Sequence, residues 1–359
     1  MSGRILVRCA SLCALLVPAL ALADPAVQKL MDQNHWRRAR ALLESKLQAS
    51  PESPVLVCQM TRVLMVFDEN DAAVAMGEKA VKLAPNDAAA HMALAEAVGD
   101  KAQNAGKLKQ LGLAKRFKKE AEAAIALDPK QVEARMDLIS FYMQAPGIAG
   151  GDKKRAKALV DEIERIKPEM GWQAKIRHAS FGKDSTVYGP IYREAATKFP
   201  NDYDARVSYA SWLMGGRWRG PAAEAESHAR AALALDPERT QAYTLLAIEQ
   251  AREKKWDELD RTLAESEAKI PDDLSPVYQA GRICLTEHGD GVRAEKYFRR
   301  YLSRPPEMQA VGHAAARWRL GLSLEKQGKN AEALAEIQTA NKLDPKFEPA
   351  KKDLKRLKG

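Results

Sequence analysis

Cysteine is scarce in this chain, aromatics are few, and no apolar run is long enough to cross a bilayer. The only cysteines are Cys9, Cys13, Cys58 and Cys284, and the first two fall in an N-terminal apolar stretch. Disulfide-stapled secreted domains carry many closely spaced cysteines. Two remaining thiols at opposite ends of the chain exclude such a framework. They read as buried small apolar residues, with a mutual bridge the lesser alternative. Aromatic residues make up 6%, and no Lys/Arg block is interleaved with them as a groove for single-stranded nucleic acid requires. No nucleic-acid partner is expected.

The signatures of catalysis are also missing. His35, His91, His178, His228, His288 and His313 include no pair at i,i+4, so the H-E-x-x-H zinc motif is excluded. There is no G-x-S-x-G elbow and no G-x-G-x-x-G fingerprint. No catalytic residue, metal site or cofactor is therefore assigned, and the chain reads as a non-enzyme.

The longest apolar run, Cys9 to Leu22, is broken by Ser11 and Pro18 and falls short of the roughly 20 residues that span a bilayer. Arg4 and Arg8 precede it, and Ala21 and Ala23 form a small-residue cleavage pattern. Residues 1–23 read as a signal peptide cleaved after Ala23, which predicts a periplasmic or secreted protein with no membrane span in the mature chain. Its removal takes two arginines and lowers the net charge of +9 to +7, a modest basic excess.

What the chain has is a repeat. Prolines recur at Pro51, Pro85, Pro129, Pro168, Pro200, Pro237, Pro271, Pro305–Pro306 and Pro345, the shorter spacings clustering near 34 residues. Each unit holds two stretches of apolar residues at helical period, such as Leu320, Leu324, Ala333, Ile337 and Ala340 in the last. Breaks such as "DEND" at 68–71, "EHGDG" at 287–291 and "EKQGKN" at 325–330 separate the two. One such pair is too small to bury its own apolar face, so neighbours must stack.

Small residues stand at fixed places before the prolines. The last unit has Gly321, Ala333 and Ala340 before Pro345; the second has Thr61, Ala73 and Ala80 before Pro85; the eighth has Gly281, Ala294 and Phe298. This pattern resembles the tetratricopeptide repeat family. The resemblance implies an all-α, right-handed superhelical solenoid of about nine helix-turn-helix repeats over residues 24–345, with a capping helix at 346–359. In that terminal segment Phe347, Ala350, Leu354 and Leu357 share one face and lysines cover the rest. The stretches "GLAKRFKKEAEAAIALDP" and "FYMQAPGIAGGDKKRAKALV" are similar to secreted bacterial members of the family, which carries no catalytic residue across.

The repeat is broken in four places. Additions near 99–110, 145–151 and 215–220 read as extended turns between the first (A) and second (B) helix of their repeats, all on one edge of the solenoid. Pro221 fits the first position of the helix that follows. In the fifth repeat Gly189-Pro190 predicts a short helix B beginning at Pro190. The turn "APGIAGGD" lacks the hydroxyl and the preceding strand of a phosphate loop, and Asp152 fits a helix N-cap. Lys153, Lys154 and Arg155 then occupy a first helical turn, where the helix dipole disfavours cations, and form a candidate basic edge.

The resemblance implies an interaction scaffold that binds an extended segment or helix of a protein or peptide partner along the inward face of the A helices. Projected on the repeat, that face includes Thr244, Ile248, Arg252, Tyr278, Arg282, Trp318 and Glu325. An anionic lipid or glycan bound by the basic edge is the alternative, and a cryptic envelope hydrolase a more distant one.

Overall fold

The computed structural model describes residues 23–182, 184–215, 220–308 and 310–358. The proposed leader thus lies outside the described residues except for Ala23. Among the described residues there are 19 α-helices and no strand. The first three pairs are α1 (Pro25–Asp32) with α2 (Trp36–Ala49), α3 (Pro54–Val66) with α4 (Asn70–Leu83), and α5 (Ala88–Asn104) with α6 (Lys107–Leu127). The next three are α7 (Val132–Gln144) with α8 (Lys153–Ile166), α9 (Pro168–Ala179) with α10 (Tyr188–Lys198), and α11 (Tyr203–Met214) with α12 (Ala222–Leu235). The last are α13 (Thr240–Arg252) with α14 (Trp256–Lys269), α15 (Ser275–Thr286) with α16 (Gly291–Leu302), and α17 (His313–Glu325) with α18 (Asn330–Leu343). A single helix, α19 (Glu348–Lys358), closes the stack.

The prolines act as helix stops. Pro51, Pro85, Pro129, Pro200, Pro237, Pro271 and Pro345 each stand two residues past the end of a B helix. Proline has no N–H to continue the ladder and its ring crowds the preceding turn. Pro168 stands at the same distance from the end of α8 and also opens α9. Among the described residues, six of the A-to-B turns use one left-handed residue: Asn34, Asp68, Gly150, Lys254, Gly289 and Gly328. Asn, Asp and Gly tolerate that conformation at little cost, whereas Lys254 does not.

Small residues set the spacing between helices. A Cβ on Gly321 would lie 2.5 Å from Cγ1 of Ile337 and 3.0 Å from the carbonyl oxygen of Ala333, so α17 meets α18 almost backbone to backbone. At Gly281 a Cβ would come within 3.1 Å of both Tyr297 and Phe298. Thr61, Ala73, Ala80, Ala294, Ala333 and Ala340 are fully buried. The apolar core is continuous along each half, from Val27 to Ala174 and from Ala247 to Ala333.

The curvature follows from the layers. Each A helix packs on its own B helix and most pack on the next A helix, as α3 does on α5, α13 on α15 and α15 on α17. B helices pack on the A helices that flank them. The A layer is therefore the shorter, inner one, and the superhelix curves around it. The first pair also meets the loops that follow α12 and α16: Gln33 Nε2 donates to Asp236 and Glu238, and Arg37 Nε to the carbonyl of Pro306 at 3.2 Å.

Three expectations need correction. The addition near 99–110 is not an extended turn: α5 runs on to Asn104 and α6 starts at Lys107, so the extra residues lengthen both helices. Helix α10 starts at Tyr188, two residues before Pro190. A proline in the first turn loses no bond, and Gly189 is needed because a Cβ there would strike Trp212 at 2.2 Å. Pro221 occupies the N-cap of α12, one residue outside the helix. The addition at 145–151 is a turn with a short 3₁₀ segment at Gly147–Ala149, while residues 216–219 of the third addition lie outside the described residues. Cys58 and Cys284 are both free and buried, and burial pushes each thiol up to about 12.

Candidate functional site

The inner surface of the A helices is charged, and its two halves differ. In the N-terminal half the charges pair with one another. Arg62 on α3 makes two hydrogen bonds to Glu96 on α5, at 2.7 and 3.2 Å. Asp137 on α7 accepts from Arg177 on α9 at 2.9 Å. Burial and the neighbouring Glu96 carboxylate push the Asp137 carboxyl up to about 6.

In the C-terminal half, arginines come from three consecutive inner helices: Arg252 on α13, Arg282 on α15 and Arg319 on α17. Arg252 is held by Glu249 at 2.8 Å and Glu287 at 3.0 Å. Arg319 Nε donates to Tyr278 Oη at 2.7 Å, and its guanidinium lies 5.1 Å from the centroid of the Trp318 ring. Arg282 Nε donates to the neutral Oε1 of Gln279, at 2.6 Å. Among the described residues it takes part in no ion pair. Burial and the positive charges of Arg319 and Arg252 outweigh the more weakly acting Glu287 carboxylate and hold its guanidinium below the usual arginine value. Such a group is short of negative charge, and a planar guanidinium is suited to a carboxylate or phosphate.

The seven residues expected on the inward face divide accordingly. Arg252 and Arg282 come together in this cationic stretch. Ile248 is half-buried and packs between two parts of the core. Thr244 turns its hydroxyl to the Thr240 carbonyl at 3.0 Å. Tyr278 is 4% exposed; its ring belongs to the core against Phe298 and Tyr301, and it meets Arg319 through its hydroxyl and one ring face, with the guanidinium 5.9 Å from the ring centroid. Trp318 and Glu325 fasten the cap. Trp318 Nε1 donates to Asp353 at 2.8 Å and its ring meets Phe347 edge-on, while Glu325 accepts two bonds from Arg356. Arg319 was not among the seven. Its signal was its place beside Trp318, one step round the same helix.

On the outer edge, Asp152 caps α8 as expected, accepting from the N–H groups of Lys154 and Arg155 at 2.9 and 3.0 Å. Lys153, Lys154 and Arg155 are all exposed. Arg155 bonds to Glu162.

Comparison with known proteins agrees with this architecture. Tetratricopeptide repeat family models match residues 30–97 and 285–346. Among solved structures, a monomeric mutant of IFIT1 with Gppp-AAAA is 12% identical, with 93% of this chain and 79% of that one covered and a TM-score of 0.50. Human IFIT1 as a dimer with PPP-AAAA is 13% identical, with coverages of 92% and 81% and a TM-score of 0.48. Yeast Tom70 is 16% identical, with coverages of 93% and 86% and a TM-score of 0.45. No curated protein matches the sequence. Likeness at such identities is one of fold. Prolines that stop the B helices, small residues where helices cross, and matched repeats at both ends of the stack lead to one assignment: the chain is a tetratricopeptide repeat protein.

Proposed function

We propose that the protein is an exported interaction scaffold whose inner face takes an acidic segment of a protein partner at Arg252, Arg282 and Arg319. The observation that carries this reading is Arg282, a half-buried cation between two others that joins no ion pair among the described residues. Like charges gathered on successive helices repel, and a low-dielectric concavity strengthens that repulsion. Inner helices lie about 8–10 Å apart, so a partner segment laid across them would meet one arginine per helix. Aspartate, glutamate or a chain-terminal carboxylate would supply the missing charge.

Export is compatible with the start of α1. Asp24 caps α1, accepting from Val27 N at 3.2 Å, and pairs with Lys46 at 2.8 Å. Its own nitrogen donates to Oε1 of Gln59 at 3.1 Å, a bond that a free α-ammonium makes as well as an amide. Cleavage after Ala23 would leave these contacts in place.

The test is binding of labelled peptides to the chain from Asp24 onward. An acidic peptide is expected to bind, a basic peptide of the same length is not, and Arg282→Glu lowers the affinity at least about tenfold, the scale of a lost charge-assisted contact. Arg230→Glu, on the outer helix α12, leaves it unchanged. Equal binding by wild type and Arg282→Glu would contradict the proposal.

A further inference from the structure

The additions of the third and fourth repeats meet on one edge. Lys118 of α6 packs on the 145–151 turn: its Nζ lies 3.3 Å from where a Cβ on Gly150 would stand, and 5.4 Å from the centroid of the Tyr142 ring. Leu111 lies two helical turns earlier on the same face of α6, with Lys107 and Lys115 four residues to either side of it. All three are exposed, Leu111 to 39%. Ile148, at the crest of the turn, is 84% exposed. Nothing lies within 4 Å of a Cβ placed on Gly106, Gly112 or Gly147, so this edge stands clear of the rest of the solenoid.

Its charges are unlike those beside it. Lys101 pairs with Asp71, Arg116 with Glu78 and Arg155 with Glu162. Lys107, Lys109, Lys115, Lys119, Lys153 and Lys154 are exposed and join no ion pair among the described residues. We infer that this edge docks on an anionic bilayer surface, with the lysines against lipid headgroups and Ile148 inserted at the acyl boundary. The lysines alone fit any polyanion. Ile148 favours the bilayer, because an extended apolar side chain gains from leaving water only where an apolar phase receives it. The surface lies on the rim and shares no residue with the inner arginines, so it stands or falls independently of the groove.

The experiment is co-sedimentation of the chain from Asp24 onward with vesicles of phosphatidylglycerol and phosphatidylcholine, and with phosphatidylcholine alone. Binding is expected only to the anionic vesicles. It should fall steeply between about 0.1 and 1 M salt, as the screening length shrinks from about 10 to 3 Å. Each lysine near an anionic leaflet contributes about fivefold in affinity, so Lys153→Glu with Lys154→Glu should weaken binding at least about tenfold. Ile148→Ser is expected to weaken vesicle binding several-fold and to leave binding to soluble polyphosphate unchanged. Three results would overturn the inference: no binding to anionic vesicles, equal binding to both vesicle types, or wild-type vesicle binding by Ile148→Ser. The last would make the edge a general polyanion site.

Discussion

His35 Nδ1 lies 3.1 Å from Oδ2 of Asp272, joining the turn between α1 and α2 to the loop between α14 and α15. The other ring nitrogen faces the carbonyl oxygen of Glu238 at 3.1 Å. Both neighbours carry acceptor oxygens and one is a carboxylate, a setting that favours the protonated imidazolium. The residue is 1% exposed. With Gln33 and Arg37 it closes the superhelix on itself.

This closure should depend on pH at both ends. Burial opposes the charge on His35, but the hydrogen bond and charge of Asp272 outweigh it and raise the imidazole above its ordinary 6.5. A raised pKa means stabilisation that is complete below 6.5 and lost as pH climbs through the folded value. Burial likewise opposes the Asp272 carboxylate, yet His35 draws it below its ordinary 3.8. Its contribution holds above 3.8 and is lost as pH falls through the lowered value. Arg38, Glu238 and the buried Glu307 also face this contact; burial raises Glu307, which is discharged first on acidification. Amide exchange in residues 25–49, corrected for its intrinsic pH dependence, should be slowest between about pH 4 and 6.5. His35→Leu should remove the alkaline rise. Equal protection at about pH 6 and pH 9 would refute the assignment of a charged His35.

Two glycines should respond oppositely to alanine. At Gly321 the new methyl would press on Ile337 and on the Ala333 carbonyl, so Gly321→Ala should lose about 1–3 kcal/mol despite its better helix propensity. At Gly112, in α6 with nothing within 4 Å, Gly112→Ala should gain about 0.5–1 kcal/mol. Urea unfolding of the two variants measures both. A stabilised Gly321→Ala would show that α17 and α18 are not in close backbone contact.

The cap should hold the last repeat together. Trp318 is half-buried, bonds to Asp353 and stacks edge-on with Phe347. Trp318→Ala should cost about 2–3 kcal/mol, less than for a fully buried tryptophan. Because stacked repeats rely on their neighbours, exchange should speed up in α17 and α18 and little elsewhere. Uniform acceleration along the chain would argue against a local role.

Much of the fold was legible in the sequence because its signals are local. Pro85 and Pro345 stop helices, Gly281 and Gly321 permit close crossings, and Asp152 caps α8, each for reasons held within a few residues. The third repeat misled because the residues added near 99–110 read as a longer turn, while the two helices absorb them and break only at Ala105-Gly106. The site was half legible. Repeat register placed Arg252 and Arg282 on the inner face, but register alone does not distinguish an aromatic in the core, as Tyr278 is, from one holding the cap, as Trp318 does. The contact of His35 with Asp272 joins distant parts of the chain, and no periodicity reports it.

The central claim is that the arginines of the inner face hold a protein partner. Photo-crosslinking in the native cell tests it most directly. The probe is placed at Thr286, an exposed position one turn from Arg282, and as a control at Lys296 on the outer helix α16. The account predicts a discrete protein adduct from Thr286, none from Lys296, and loss of the adduct when Arg282→Glu is added. The same adducts from both positions, or an adduct that survives Arg282→Glu, would contradict it.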